Sequence, residues 1–322
     1  MWSDRKKTVA WLTLLAATNG LLFALLYHYS LSTIRGQMLD TVALAGNGYG
    51  QERFASPLNS VLNAITLASM VIVLVTVGVI ALARQRYALA ITAVVMVAGS
   101  TATTRLLKAH ILRPEFGVDP QRAGAGNSLP SGHATAAAAL AVGLVLVLPP
   151  AIRGIASVIG ATYAALVGIA TLSSGWHRPS DVIASFLLVG GWAAVAGLLL
   201  VLAQRRTAVV ARGDKHPLPL AAMLLGGSAL VVAGILALNY TFHRMSTPVE
   251  DMPNRLLALG YAGSVMVIAG AAYLMMAVIV RSIHRVVPHS QGDWSIGEVG
   301  QRGHVDRPVD RDRLGEPSIV RD

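Results

Sequence analysis

The sequence predicts an all-α, polytopic membrane protein with about eight transmembrane helices. Three observations lead there. Of the 322 residues, 54% are hydrophobic and 13% charged, against roughly 25% charged in an ordinary soluble domain. The mean hydropathy is +0.59. The apolar residues fall in runs of about 20, the length that crosses a hydrocarbon core. A soluble fold of this size has too little polar surface to cover so much apolar chain, which disfavours a secreted soluble enzyme, a cytosolic dinucleotide-binding protein and a disordered chain alike.

The first span is expected from Val9 to Tyr27, behind Arg5, Lys6 and Lys7. No clean small-residue cleavage pattern follows it and further spans come after, so it reads as a retained helix and not a signal peptide. The stretch from His28 to Pro57, with Gly46, Gly48, Tyr49 and Gly50, is too long for a simple connection and is expected to fold over the outer face. The second span runs from Leu58 to Ala83, closed by Arg84 and Arg86, and the third from Tyr87 to Leu107. The fourth covers Gly132 to Leu148 and stops at Pro149 and Pro150; the fifth covers Ile152 to Leu172. The sixth runs from Val182 to Ala203, closed by Arg205 and Arg206. Leu218 to Leu238 forms the seventh, and Leu256 to Val280 the eighth, closed by Arg281 and Arg285. From Ser282 to Asp322 the composition turns polar and rich in Arg and Asp, which reads as a disordered cytoplasmic tail.

The expected organisation is a membrane core over residues 1–209, a two-helix membrane extension over 210–281 and the tail over 282–322. In the extension, Gly226, Gly227 and Ser228 and then Gly270, Ala271 and Ala272 permit close helix approach, within the chain or between copies in a homo-oligomer. The net charge of +10 is spread singly between apolar runs, as expected of cations that fix orientation and sit against anionic lipid. No nucleic-acid partner is implied. With the N-terminus in the cytoplasm, more of the Lys and Arg residues near span ends fall inside than outside, and the C-terminus is cytoplasmic as well. With no cysteine, disulfides, iron–sulfur clusters and Cys-based zinc sites are excluded.

Three polar clusters interrupt the apolar chain, and all three fall at the outer side in this topology. Lys108–Ala109–His110–Ile111–Leu112–Arg113–Pro114 leaves the third span; two fixed cations five residues apart suit an oxyanion such as phosphate. Asn127–Ser128–Leu129–Pro130–Ser131–Gly132–His133 opens the fourth span. Ser131 is a good N-cap, Gly132 lets a ligand approach the backbone, and His133 stands beside the free N–H groups of the first turn. Gly175–Trp176–His177–Arg178–Pro179–Ser180–Asp181 lies between the fifth and sixth spans. There His177 and Asp181, at i and i+4, can share a face so that the carboxylate fixes the imidazole tautomer. Trp176 reads as an interfacial anchor.

Taken together, Lys108…Arg113–Pro114, Pro130–Ser131–Gly132–His133 and His177-x-x-x-Asp181 resemble the three motifs of the type-2 phosphatidic acid phosphatase (PAP2) superfamily, over roughly Tyr27 to Ala203. The resemblance implies a six-helix phosphatase core, and the seventh and eighth spans lie beyond it. It implies His177 as the nucleophile that forms a phosphohistidine, Asp181 as its orienting partner and His133 as the general acid. Lys108, Arg113 and the Ser131–Gly132 backbone would hold the phosphate. Two features depart from the family pattern. Arg113 arrives two residues earlier than the usual arginine, whose position is Glu115, with Arg105 as an alternative cation deeper in the span. The Ser-Arg pair expected before the histidine is replaced by Ala170 and Thr171, so one phosphate-binding arginine is missing and Arg178 is the candidate to replace it.

The reaction implied is hydrolysis of a lipid phosphate monoester or pyrophosphate, the lipid tail remaining among the helices of the plasma membrane. It calls for no metal and no cofactor, and Glu115 and Asp119 lack the spacing partners of a metal cage. Two other readings stay open on sequence grounds: a non-catalytic phosphate-lipid-binding or carrier protein, and a lipid phosphotransferase with the same site. A small-solute transporter fits less well, because the ionisable residues cluster at one face and not at the midplane.

Overall fold

A computed structural model describes residues 2–48, 75–79, 87–119, 126–203, 217–246 and 248–286, and every regular element among them is helical. In chain order these are α1 (Trp2–Ser32), α2 (Ile34–Ala45), α3 (Tyr87–His110), α4 (Gly132–Val147), α5 (Pro150–Ser173), α6 (Pro179–Ala203), α7 (Pro217–Phe242), a 3₁₀ turn (Val249–Asp251) and α8 (Asn254–Val286). Six of them, α1, α3, α5, α6, α7 and α8, are long and apolar enough to cross a membrane, and α4 is a shorter apolar helix. These seven correspond to the first and the third through eighth expected spans. Of the second, Leu58 to Ala83, only residues 75–79 are described, as helix.

Prolines explain why several helices begin earlier than hydropathy suggests. Pro150, Pro179 and Pro217 each open a helix, a position where the missing N–H costs nothing and the fixed φ is already helical. Reading Pro149 and Pro150 only as a stop overlooks that the second of them starts α5. At the far end of the chain, α8 continues through Ser282 to Val286, so the polar tail does not begin at Ser282. Ser282 is buried, donates to the Val278 carbonyl and accepts from Trp11 Nε1 at 3.0 Å. Residues 287–322 of the expected tail lie outside the described residues.

Helix α4 forms the middle of the bundle. It is apolar on all sides and buried along almost its whole length from Ala134 to Val147, the pattern of an enclosed helix. Its alanines let α3, α5 and α6 approach closely. Its C-terminal carbonyls are satisfied by Arg153, which is fully buried and donates from Nε to Val145 and from Nη2 to Leu148. Arg153 is therefore an internal helix cap, not a headgroup anchor. Arg5 likewise donates to the Val201 and Leu202 carbonyls at the end of α6. These contacts gather the start of α1 and the ends of α6 and α8 at one end of the bundle. The three polar clusters lie at the other.

Helix α8 packs along α7, α5, α6 and α2, and its Ile268, Ala272, Met276 and Val280 join the same apolar cluster as Met96, Val142 and Phe186. Against α7 the approach depends on glycine. A Cβ on Gly270 would lie 2.6 Å from the Gly227 carbonyl oxygen, and one on Gly227 would lie 3.1 Å from the Gly270 carbonyl oxygen. The small residues singled out in the extension thus bring two backbones of one chain together.

The segment expected to fold over the outer face contains a helix. Thr33 caps α2 by accepting from the Gly36 N–H at 3.0 Å, and the helix lays Met38, Asp40, Val42 and Leu44 against its neighbours. Gln37 ties it down by donating to the Leu31 and Pro114 carbonyls, both at 2.7 Å. Polar residues obscure this helix in the sequence because its buried face contacts the ends of other helices and not lipid.

Candidate active site at one end of the bundle

The site forms where α3 ends and α4 and α6 begin. Local signals set the turn that carries His177. Helix α5 closes in a Schellman arrangement: the N–H of Gly175 donates to the Leu172 carbonyl and that of Trp176 to the Thr171 carbonyl, both at 2.9 Å. Gly175 has φ +71°, the left-handed conformation glycine adopts freely at this position. The His177 N–H also reaches the Thr171 carbonyl, at 3.2 Å. Thr171, where the family pattern would place an arginine, is fully buried and its hydroxyl donates to the Gly168 carbonyl.

His177 precedes α6 and does not share a helical face with Asp181, but the turn still brings them together, with Nδ1 3.3 Å from Asp181 Oδ2. The same oxygen accepts from the Ser128 hydroxyl at 2.6 Å and from the Arg178 backbone N–H at 2.9 Å. The last of these is half of a capping box, an N3 carboxylate reaching back to the N-cap N–H. Asp181 Oδ1 has no partner. Both residues are buried.

Ser131 is the N-cap of α4: its hydroxyl accepts from the Ala134 N–H at 3.3 Å. Its own N–H donates to the Asp181 carbonyl at 2.9 Å, and the Ser185 hydroxyl donates to the carbonyls of both Ser131 and Asp181. His133, in the first turn of α4, is half-buried, near enough to His177 and Lys108 to feel their charges. Its ring lies 5.4 Å from that of Trp176, which is 44% exposed.

Lys108, in the last turn of α3, is half-buried and feels the charge of Asp181. Arg113 is half-buried, yet both of its terminal nitrogens are buried without a hydrogen-bond partner. Burial and the neighbouring Arg178 charge both lower its pKa from the usual value, while Asp40, Asp181 and Asp119 act in the other direction. Arg178 is buried; its Nη2 donates to Asp119 at 2.7 Å and its Nη1 to Ser128 at 3.4 Å, leaving Nε without a partner. Arg105 and His110 are exposed on the last turns of α3, and the His110 ring lies 2.8 Å from the Leu106 carbonyl. Among the described residues, no three histidine or carboxylate side chains group so as to hold a metal ion.

Three site residues carried no role in the sequence reading. Ser128 bridges Asp181 and Arg178, Asp119 pairs with Arg178, and Asp40 reaches in from α2 to accept from the Ser180 hydroxyl and, at 3.3 Å, from the Ser180 N–H. For Asp119 and Asp40, rarity was an available signal: acidic residues number only 16 in the chain, and a carboxylate beside membrane spans is costly without partners.

The family model of the PAP2 superfamily matches residues 88–207, the stretch from the second residue of α3 to just past α6, which contains all three motif clusters. A domain of this superfamily supports phosphatase-type activity in general terms. No curated protein and no solved structure matches the chain.

Proposed function

We propose, for a chain that carries a PAP2 superfamily domain, that it hydrolyses a lipid phosphate monoester or pyrophosphate at the outer face of the cell membrane, through a phosphohistidine. The observation that carries this reading is the convergence of His133, His177 and Asp181 with Lys108 and the unpaired Arg113 guanidinium at one end of an apolar bundle. Buried N–H donors without partners are costly, and an oxyanion satisfies those of Arg113.

With Nδ1–H donating to Asp181, the His177 lone pair is on Nε2, free to attack phosphorus in line. The N–P bond forms as the P–O bond to the leaving group breaks, and His133 gives its proton to the departing oxygen. His133 then takes a proton from water, the resulting hydroxide attacks phosphorus, and the P–N bond breaks to release phosphate and His177. Lys108, Arg113 and the first-turn N–H groups of Gly132 and His133 hold the equatorial oxygens as charge develops. The Ser131 N–H is engaged by Asp181, so Ser131 serves this end as a cap. Arg178, engaged by Asp119, adds positive charge to the pocket. These donors supply the charge stabilisation, and the scheme needs no metal.

Leu106, Leu112 and Phe116, which flank Lys108 and Arg113 in the chain, are exposed and favour a substrate with a lipid tail. The orientation rests on the basic residues near span ends, which favour both termini in the cytoplasm. The test is phosphate release by the purified protein from phosphatidic acid, phosphatidylglycerol phosphate and polyprenyl pyrophosphates, with vanadate as inhibitor. Release that persists in His177→Ala rules out this mechanism.

A further inference from the structure

We propose that Asp40 is a positioning residue for this reaction: from α2 it supplies the capping carboxylate that the Arg178–Pro179 start of α6 lacks, and so fixes the turn that presents His177. The inference rests on the phosphatase reading above.

The need for a cap follows from the local sequence. A helix start exposes several N–H groups, and a Ser, Thr, Asp or Asn at the N-cap ordinarily accepts one of them. Arg178 has no acceptor to offer. Pro179 has no N–H, and the Asp181 N–H already bonds to the Arg178 carbonyl at 3.1 Å. The Ser180 N–H is the one left in this turn, and Asp40 Oδ1 accepts it at 3.3 Å while Oδ2 accepts the Ser180 hydroxyl. A carboxylate at a helix N-terminus is also favoured by the helix dipole. The capping box of α6 is thus split. Asp181 provides one half within the helix, by accepting the Arg178 N–H, and Asp40 provides the other half from a distant segment.

The location ties this cap to catalysis. Ser180 lies between Arg178 and Asp181, so a shift of its backbone moves the carboxylate that holds His177. Asp40 is buried and feels the charges of Asp181, Arg113 and Arg178. Burial works against its charged form, while the Ser180 hydrogen bond and the Arg113 and Arg178 charges favour it.

The experiment compares the full-length protein in detergent with Asp40→Asn, Ser180→Ala and the double variant, using short-chain phosphatidic acid as substrate and His177→Ala as the control. Asp40→Asn is expected to lower kcat by about tenfold or more, since small displacements of a reacting group are costly. KM should not rise, because the lost charge is negative and the substrate is an anion. The melting temperature at pH 7.5 should not fall. The double variant should be no worse than the poorer single one, as expected of two groups acting through one contact. An unchanged kcat overturns the proposal, as does a kcat that falls only in step with the melting temperature. If the wild type releases no phosphate, or His177→Ala keeps full activity, the phosphatase reading fails instead. The His177 ring signals in NMR, assigned by their loss in His177→Ala, then decide the positioning claim. Displacement in Asp40→Ala, which removes the acceptor of the Ser180 N–H, upholds it, and unchanged signals refute it.

Discussion

The backbone N–H of Ser131 donates to the carbonyl of Asp181 at 2.9 Å. This bond joins the first turns of α4 and α6 directly, so the helix start that carries His133 and the turn that carries His177 are held as one unit. Ser185 reinforces the junction by donating to both carbonyls, at 2.8 and 2.9 Å.

Ser185→Ala tests the junction. It removes a buried donor from two carbonyls that keep other partners, a loss of about 0.5–1.5 kcal/mol. The melting temperature should fall by a few degrees and kcat should drop more than KM changes. Wild-type kcat at full occupancy of the fold would show that the junction does not set the active geometry.

His177→Ala and His133→Ala should each abolish phosphate release while leaving the melting temperature near that of the wild type. Trapping of labelled phosphate on the protein should be lost in His177→Ala. In His133→Ala, whose loss leaves the nucleophile in place, some labelled intermediate should survive from substrates with a good leaving group. Label retained in His177→Ala would place the phosphoryl group on another residue.

Arg113→Ala and Arg178→Ala should differ. Arg113 has unpaired nitrogens, so its removal should leave stability unchanged or improved while vanadate inhibition weakens by about tenfold or more, one charge-assisted contact being worth roughly 1.5–3 kcal/mol. Arg178 pairs with Asp119 and Ser128, so its removal should lower stability as well as activity. Wild-type activity in Arg178→Ala would remove it from the phosphate site.

The pH dependence of stability should report Asp40. Burial, its largest influence, raises its carboxyl from 3.8 to about 6; Asp181 adds to the rise, while the Ser180 hydrogen bond, Arg113 and Arg178 oppose it. Tyr29 of α1 also feels the Asp40 charge. Between these two values the unfolded chain has released the proton that the folded protein keeps, so this group's contribution falls as pH rises through that window and is level above it. The melting temperature of Asp40→Asn minus that of the wild type should therefore grow from pH 4 to pH 7. A difference that is flat or shrinks would mean the carboxyl is not displaced upward.

Gly270→Val should separate α7 from α8. The added Cβ would sit 2.6 Å from the Gly227 carbonyl oxygen, and overpacking of this kind typically costs about 1–3 kcal/mol. A lower melting temperature with kcat unchanged in the folded fraction is expected, since the contact lies along the extension. An unaltered melting temperature would argue against the close crossing.

Much of the fold and of the site was legible in the sequence because it rests on local chemistry. Apolar runs of span length, Ser131 before Gly132–His133 and the His177-x-x-x-Asp181 spacing can all be recognised without knowing what lies nearby. Gly175 followed by Trp176 also signals a helix end, and it could have been read as the glycine of a Schellman cap. Other features were illegible for a common reason. Arg153 looks like any cation at a membrane boundary until its partners, the carbonyls of Val145 and Leu148, are seen. Arg178 looks like an unpaired cation until Asp119 and Ser128 are placed on it. Helix α2 has too mixed a composition to stand out, because its face is matched to helix ends and not to lipid.

The sequence alone determined that this is a helical membrane protein, which residues form the three polar clusters, and which ionisable and hydroxyl side chains those clusters hold. Those conclusions depend on hydropathy, capping and spacing, properties that neighbouring residues fix. Only the tertiary structure decided which polar atoms are already paired. It commits the Ser131 N–H to Asp181 and Arg178 to Asp119, leaves the Arg113 nitrogens open, and brings Asp40 to cap the start of α6. The physical reason is that a hydrogen bond depends on which groups meet within about 3 Å, and for residues far apart in the chain only the packing of the helices sets that distance.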